Sequence, residues 1–192
     1  EKNKDITDSI VYAKRIQEAV LPSDEQVQRA IPESFVLYQP KDIVSGDFYW
    51  VEKIKGVSIV AAVDCTGHGV PGAFLSMVGS SLLNQTVFER GLTEPAAILD
   101  TLNASLQETL LKGVEGQEVK DGMDVALVAY HESTRELQFA AAFNPMFILR
   151  DRGGNYELEE IKADKISIGI SDTMEKQKFH NHVLKLGKGD CV

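Results

Sequence analysis

The sequence predicts an α+β fold of antiparallel sheets with helices on an outer face. Three observations carry this. Short runs rich in β-branched and aromatic residues come first, two long helical stretches follow each other directly, and short strand-like runs then return. That order is not the strict strand–helix alternation of a parallel sheet. At 192 residues and 43% hydrophobic content, the chain suits one cored domain with a small appendage.

The elements read as follows. A helix is expected over 6–21, where Ile6, Ala13 and Val20 recur every seventh residue and Ile16 takes the matching second position. This short heptad seam fits two readings: a helix packed on its own domain, or a coiled-coil link to an upstream sensor domain that also pairs two copies. Pro22 ends it, and Ser23 is placed to cap a following turn. Residues 1–22 therefore read as a linker or regulatory helix, and 23–192 as the domain proper. Strands are expected over 35–38, 46–51 and 57–63, with a hairpin turn at Lys55-Gly56. Helices follow over 71–90 and 94–111. Gly91 suits a helix C-terminal cap, Pro95 suits a first turn, and Ile98, Leu99, Leu102, Leu106 and Leu110 form a stripe. A polar loop over 113–122 leads to strands over 125–130, 137–142, 146–150 and 156–161. A further strand is expected to start at Lys185.

Composition narrows the function. A formal net charge of -9 repels phosphate backbones and argues against nucleic-acid binding. No apolar run approaches the roughly 18 residues needed to span a bilayer, and the N-terminus carries no signal-peptide core. Cys65 and Cys191 lack the spacing of a disulfide framework or metal clip, which favours a reducing, cytoplasmic setting.

Two stretches carry chemistry. In Val44-Ser-Gly-Asp-Phe-Tyr-Trp50, Asp47 follows a glycine and opens an apolar strand; the plain alternative is a turn aspartate. The run 57–63 is almost wholly apolar, reads as a buried strand, and ends in Asp64-Cys-Thr-Gly-His-Gly69 just before a helix. Gly67 and Gly69 allow backbone that other residues resist. A carboxylate, a nearby carbonyl and room for water suit a hard divalent cation, and that reading is favoured over an ordinary capped glycine turn. His68 is open to two readings, a phosphate or metal-water contact or a loop histidine. Asp121 and Asp124 read as a strand-entry turn more readily than as metal ligands, and His131, His180 and His182 read as surface.

Ser45-Gly-Asp-Phe-Tyr49 and Val63-Asp-Cys-Thr-Gly-His-Gly-Val-Pro-Gly-Ala-Phe74 resemble the N-terminal signatures of SpoIIE/RsbU-type protein phosphatases of the metal-dependent PPM class. The helix ending in Leu21-Pro22 is also typical of that family, and Met123 to Tyr130 and Asn144-Pro145 match it more loosely. The resemblance implies an αββα sandwich of two antiparallel sheets flanked by helices, with two Mn²⁺ or Mg²⁺ ions between the sheets. It implies that Asp64 bridges both ions, that the Cys65 carbonyl binds one, and that Asp47 holds water nearby. Water activated there attacks the phosphoserine or phosphothreonine of a regulatory protein, usually a STAS-type anti-sigma-factor antagonist in stress signalling. Two departures stand out. Phe143 occupies a position where many relatives have His or Asn. Gly189-Asp190 is present, but the family's following Ser-Asp-Gly motif and its last Asp are not, so the fold is expected to be incomplete at the C-terminus. The competing readings are an inactive regulatory module of the same fold and a hydrolase of small phosphoesters.

Residues 1–192 alone are therefore expected to show no Mn²⁺-dependent hydrolysis of an aryl phosphate, whereas a longer chain that includes the Ser-Asp-Gly motif should show it. Equal rates from both would mean that the absent aspartates are not required.

Overall fold

A two-residue turn sets the first hairpin. β1 (Phe48–Ile54) and β2 (Val57–Cys65) are joined by Lys55 and Gly56, whose φ angles of 51° and 80° match the right-handed twist of the strands. The structure, a computed structural model, describes residues 2–111, 121–170 and 178–192. β3 (Met123–His131) pairs with β2, β4 (Glu136–Ala142) with β3, and β7 (His182–Lys185) with β4. Together they form an antiparallel sheet in the order β1-β2-β3-β4-β7, while β5 (Met146–Asp151) and β6 (Tyr156–Ile161) form a second.

Alternation divides the large sheet into two faces. Ile59, Ala61, Val63 and Cys65 of β2, with Val125, Leu127 and Ala129 of β3, point into one core. Helices α3 (Gly69–Asn84) and α4 (Pro95–Leu111) close it with Leu75, Leu83, Ile98, Leu99, Leu102 and Leu106. On the opposite face, Leu137, Phe139 and Ala141 meet Met146 and Ile148 of β5. The seven-residue α2 (Asp24–Ala30) covers the β1 end with Val27 and Ala30 against Val51. The layers are helices, a large antiparallel sheet and a small one, as the sequence predicts.

Helix boundaries follow local chemistry. Ser23 and Gln26 form a reciprocal capping box at α2. After α3 the chain passes through a π turn at Gln85–Glu89 and stops at Gly91, φ 67°. α1 (Lys2–Glu18) leaves Ile6, Tyr12 and Ile16 exposed, as is Val20 in the turn beyond it, so these seam positions do not pack on their own domain. Among the described residues no helix is long and apolar enough to cross a membrane.

Two expected strands need correction. Residues 35–38 form none: Phe35 is 90% exposed, and only Tyr38 is fastened, through its hydroxyl to the Asp47 carbonyl at 3.1 Å. β-propensity is realised only where a partner edge is available. Lys185 ends a strand rather than starting one. A turn follows, with Gly189 at φ 89°, and Cys191 then bonds to Leu149 of the second sheet at 2.8 and 3.0 Å. His182 is also half-buried against Phe139 rather than on the surface, their ring centroids 6.0 Å apart. The loop expected over 113–122 lies largely outside the described residues.

Asp190 locks the last turn. Its carboxylate accepts from Arg150 Nη1 at 2.8 Å and from the Gly187 and Asp151 amides at 2.8 and 3.0 Å. Arg150 first, then these amides, lower its pKa from 3.8 to about 2. Because the folded value is depressed, the stabilisation is complete above the ordinary carboxylate value and disappears as pH falls toward about 2. Asp190→Asn is expected to melt lower than the parent near neutral pH and to lose less of its melting temperature across that acid window. Thermal melts at stepped pH measure this, and parallel curves would refute it.

Candidate metal centre

Strand register builds the site. Odd-numbered residues of β2 enter the helical core, so Asp64, an even-numbered neighbour, faces away from it and is exposed. The hairpin pairs Phe48 with Val63, and the next position out sets Asp47 beside Asp64. On the other side Asp64 pairs directly with Asp124 of β3. Three aspartates thus lie in one row across the end of the sheet.

Glycines bring two of them into contact. A Cβ on Gly46 would fall 2.8 Å from the Gly67 carbonyl oxygen and 3.2 Å from that of Cys65. One on Gly72 would fall 2.6 Å from the same Gly67 oxygen. These backbone approaches are open only to glycine. Gly67 and Gly69, with φ of 85° and 65°, turn the chain sharply between β2 and α3. Thr66 then ties this loop to Gly122, its amide donating to the Gly122 carbonyl at 2.8 Å and its hydroxyl to the same oxygen at 2.6 Å.

The Asp64 carboxyl is held above its ordinary 3.8, first by partial desolvation, then by the hydrogen bond that its protonated form donates to Asp47 and by the charge of that residue. Two carboxylates this close oppose each other's ionisation unless a proton or a cation lies between them, which makes the pair the candidate cation site. Asp124 does not join it: its Oδ1 accepts from the Ser167 hydroxyl at 2.8 Å. Among the described residues no group of three or more His, Cys, Asp or Glu side chains converges. The Cys65 side chain lies in the core, and burial pushes its thiol up to about 12, so this residue can offer a cation its carbonyl but not its sulfur. Asp121 stays exposed at the strand entry. Phe143 is half-exposed at φ 60°, left-handed backbone that a bulky side chain seldom takes.

The profile described as "Stage II sporulation protein E (SpoIIE)" matches residues 55–192. This chain belongs to the SpoIIE family. The SiaA-PP2C domain of Pseudomonas aeruginosa is 30% identical, with a TM-score of 0.83 over 99% of this chain and 71% of that one. The PP2C phosphatase domain of SpoIIE from Bacillus subtilis is 23% identical, with a TM-score of 0.55 over 77% and 39% of the two chains. RsbX in complex with magnesium is 17% identical, with a TM-score of 0.57 over 81% and 68%. No curated protein sequence matches. The fold is that of PPM-type phosphatase domains, as the motifs around Asp47 and Asp64 imply.

In this SpoIIE-family domain the sequence gives no sign of Gln17, yet Gln17 fastens the Asp47 loop. It is buried, although the helix around it is exposed. Its Nε2 donates to the Ser45 carbonyl at 2.6 Å and to the Ser76 hydroxyl at 2.8 Å, and its Oε1 accepts from the Ser45 amide at 2.9 Å. Ser45 Oγ in turn accepts from the Asp47 amide at 3.0 Å. One side chain therefore links α1, the Asp47 loop and α3. Gln17→Leu keeps the volume and strands the Ser45 amide and carbonyl, which is expected to cost about 1–3 kcal/mol in urea unfolding. A change within error would show that the loop holds itself.

Proposed function

We propose that the chain is the catalytic part of a metal-dependent phosphoprotein phosphatase. Its substrate in this reading is the phosphoserine or phosphothreonine of a regulatory protein in the cytoplasm, of the STAS type that the family resemblance implies. The observation that carries it is the contact of Asp47 and Asp64 across two loops pressed together at Gly46, Gly67 and Gly72.

The donor set suits hard cations. Two carboxylates and the Cys65 carbonyl are oxygen ligands of the kind Mg²⁺ and Mn²⁺ take, and RsbX, of similar fold, is in complex with magnesium. Asp64, at the centre of the row, and the Cys65 carbonyl would hold the ions, and Asp47 would orient water beside them. Bound there, divalent ions would supply acidification of water and charge neutralisation at the phosphoryl group. The chain's own share is to hold these oxygens rigidly on a buried strand and a glycine-locked loop. His68, whose side chain is 81% exposed on the loop that follows Asp64, would supply a proton to the phosphoester. The engagement of Asp124 by Ser167 favours a second reading, a regulatory module without activity.

Asp64→Asn in the full-length protein is expected to reduce Mn²⁺-dependent hydrolysis of a phosphoserine peptide to background while circular dichroism stays unchanged. Parent-like activity at saturating Mn²⁺ would sink the mechanism. Absence of activity in the parent itself would favour the regulatory module.

A further inference from the structure

We infer that Asp42 is a positioning residue for His68, holding the imidazole by Nδ1 so that Nε2 carries the proton delivered to the leaving serine or threonine oxygen. This rests on the phosphatase reading of the site. The observation is a contact of 3.1 Å between His68 Nδ1 and Asp42 Oδ2, across 26 positions of sequence.

Three features make that contact more than a surface ion pair. His68 is the N-cap residue of α3, yet its side chain makes no capping bond, so the ring is not used by the helix. It stands between two glycines with left-handed φ, which present it on a sharp turn four residues beyond Asp64. The loops involved are already joined at Gly46 and Gly67: Asp42 and Asp47 come from the one before β1, and His68 comes from the one that follows Asp64 at the end of β2. The second junction of the two loops is the Asp42–His68 pair itself.

A carboxylate acceptor fixes which ring nitrogen keeps its hydrogen. With Nδ1–H directed at Asp42, the imidazolium has Nε2–H left to give. As water oxygen bonds to phosphorus and the bond from phosphorus to the serine oxygen breaks, the Nε2 proton passes to that oxygen. Serine then leaves as a neutral hydroxyl, and the attacking water loses one proton to solvent. The ring is left as the Nδ1–H tautomer, paired with Asp42, and its exposed Nε2 recovers a proton from solvent. Atoms and charge balance without a further reagent.

The first measurement needs no activity. Long-range ¹H–¹⁵N spectra of the neutral His68 ring are expected to show the Nδ1–H tautomer in the parent. In Asp42→Ala they should show a shift to the Nε2–H form that free histidine favours. The same tautomer in both proteins overturns the proposal.

The second compares leaving groups in the full-length protein. Asp42→Ala is expected to slow phosphoserine-peptide hydrolysis by about tenfold or more, and p-nitrophenyl phosphate by less than about threefold, because nitrophenolate departs without a proton. In a His68→Ala background, adding Asp42→Ala should slow the peptide reaction no further. Equal losses on both substrates, or additive losses in the double variant, overturn the positioning role. If the full-length parent hydrolyses neither substrate, the phosphatase reading fails and the proton-delivery role fails with it, while the tautomer result decides the Asp42–His68 contact independently.

Discussion

Two like-charged carboxylates remain in contact only when the backbones behind them are pressed closer than side chains allow. Here that closeness depends on Gly46, Gly67 and Gly72. The missing Cβ atoms of Gly46 and Gly72, set against the carbonyl that Gly67 turns toward them, let the loop before β1 lie against the loop after β2, and the rest of the site follows from that meeting. Thr66 anchors one loop to the entry of β3, Gln17 and Ser45 anchor the other to α1 and α3, and His68 reaches Asp42 across the seam. No single bond among these is strong. Together they replace the side-chain packing that glycines forgo.

Much of this is legible in the sequence, because both carboxylates stand at the end of an apolar strand with glycine within three residues on the other side. Period-two alternation in β2 likewise announces which residues enter the core. What stays hidden is long-range. Gln17 looks like a polar neighbour of the heptad seam, and its partners Ser45 and Ser76 lie 28 and 59 positions away. Asp42 has no motif, and Ser167 reaches Asp124 across 43 positions. Composition misleads at 35–38, where Phe-Val-Leu-Tyr has strand character but no paired edge among the described residues. It misleads again after Lys185, where glycines that read as a strand start instead make a turn locked by Asp190.

The same residue type serves opposite ends here. Asp190 has a guanidinium and two amides directed at its oxygens, which keep it ionised and make it a fastener between the sheets. Asp64 has another carboxylate, which opposes its ionisation. Asp190 is satisfied by the chain alone. Asp64 is opposed by its neighbour instead, and a carboxylate perturbed in this way is a candidate functional position. On a chain of net charge -9, that local deficit of positive charge adds to a general attraction for divalent ions.

The hairpin that carries the site also constrains how the family can vary in length. Seven cross-strand pairs separate the Lys55-Gly56 turn from Asp47, and every one must stay in register for Asp47 to meet Asp64. Insertion or deletion of one residue within β2 would rotate Asp64 into the helical core and push its apolar neighbours onto the site face. The β1–β2 hairpin is therefore intolerant of indels, even though its tip is on the surface. The tip between β5 and β6, residues 152–155, lies outside that register, although Asp151 beside it is held by Asp190. A change of length is therefore easiest to accommodate at the tip of the second sheet, while strand register fixes the spacing from Asp47 to Asp64.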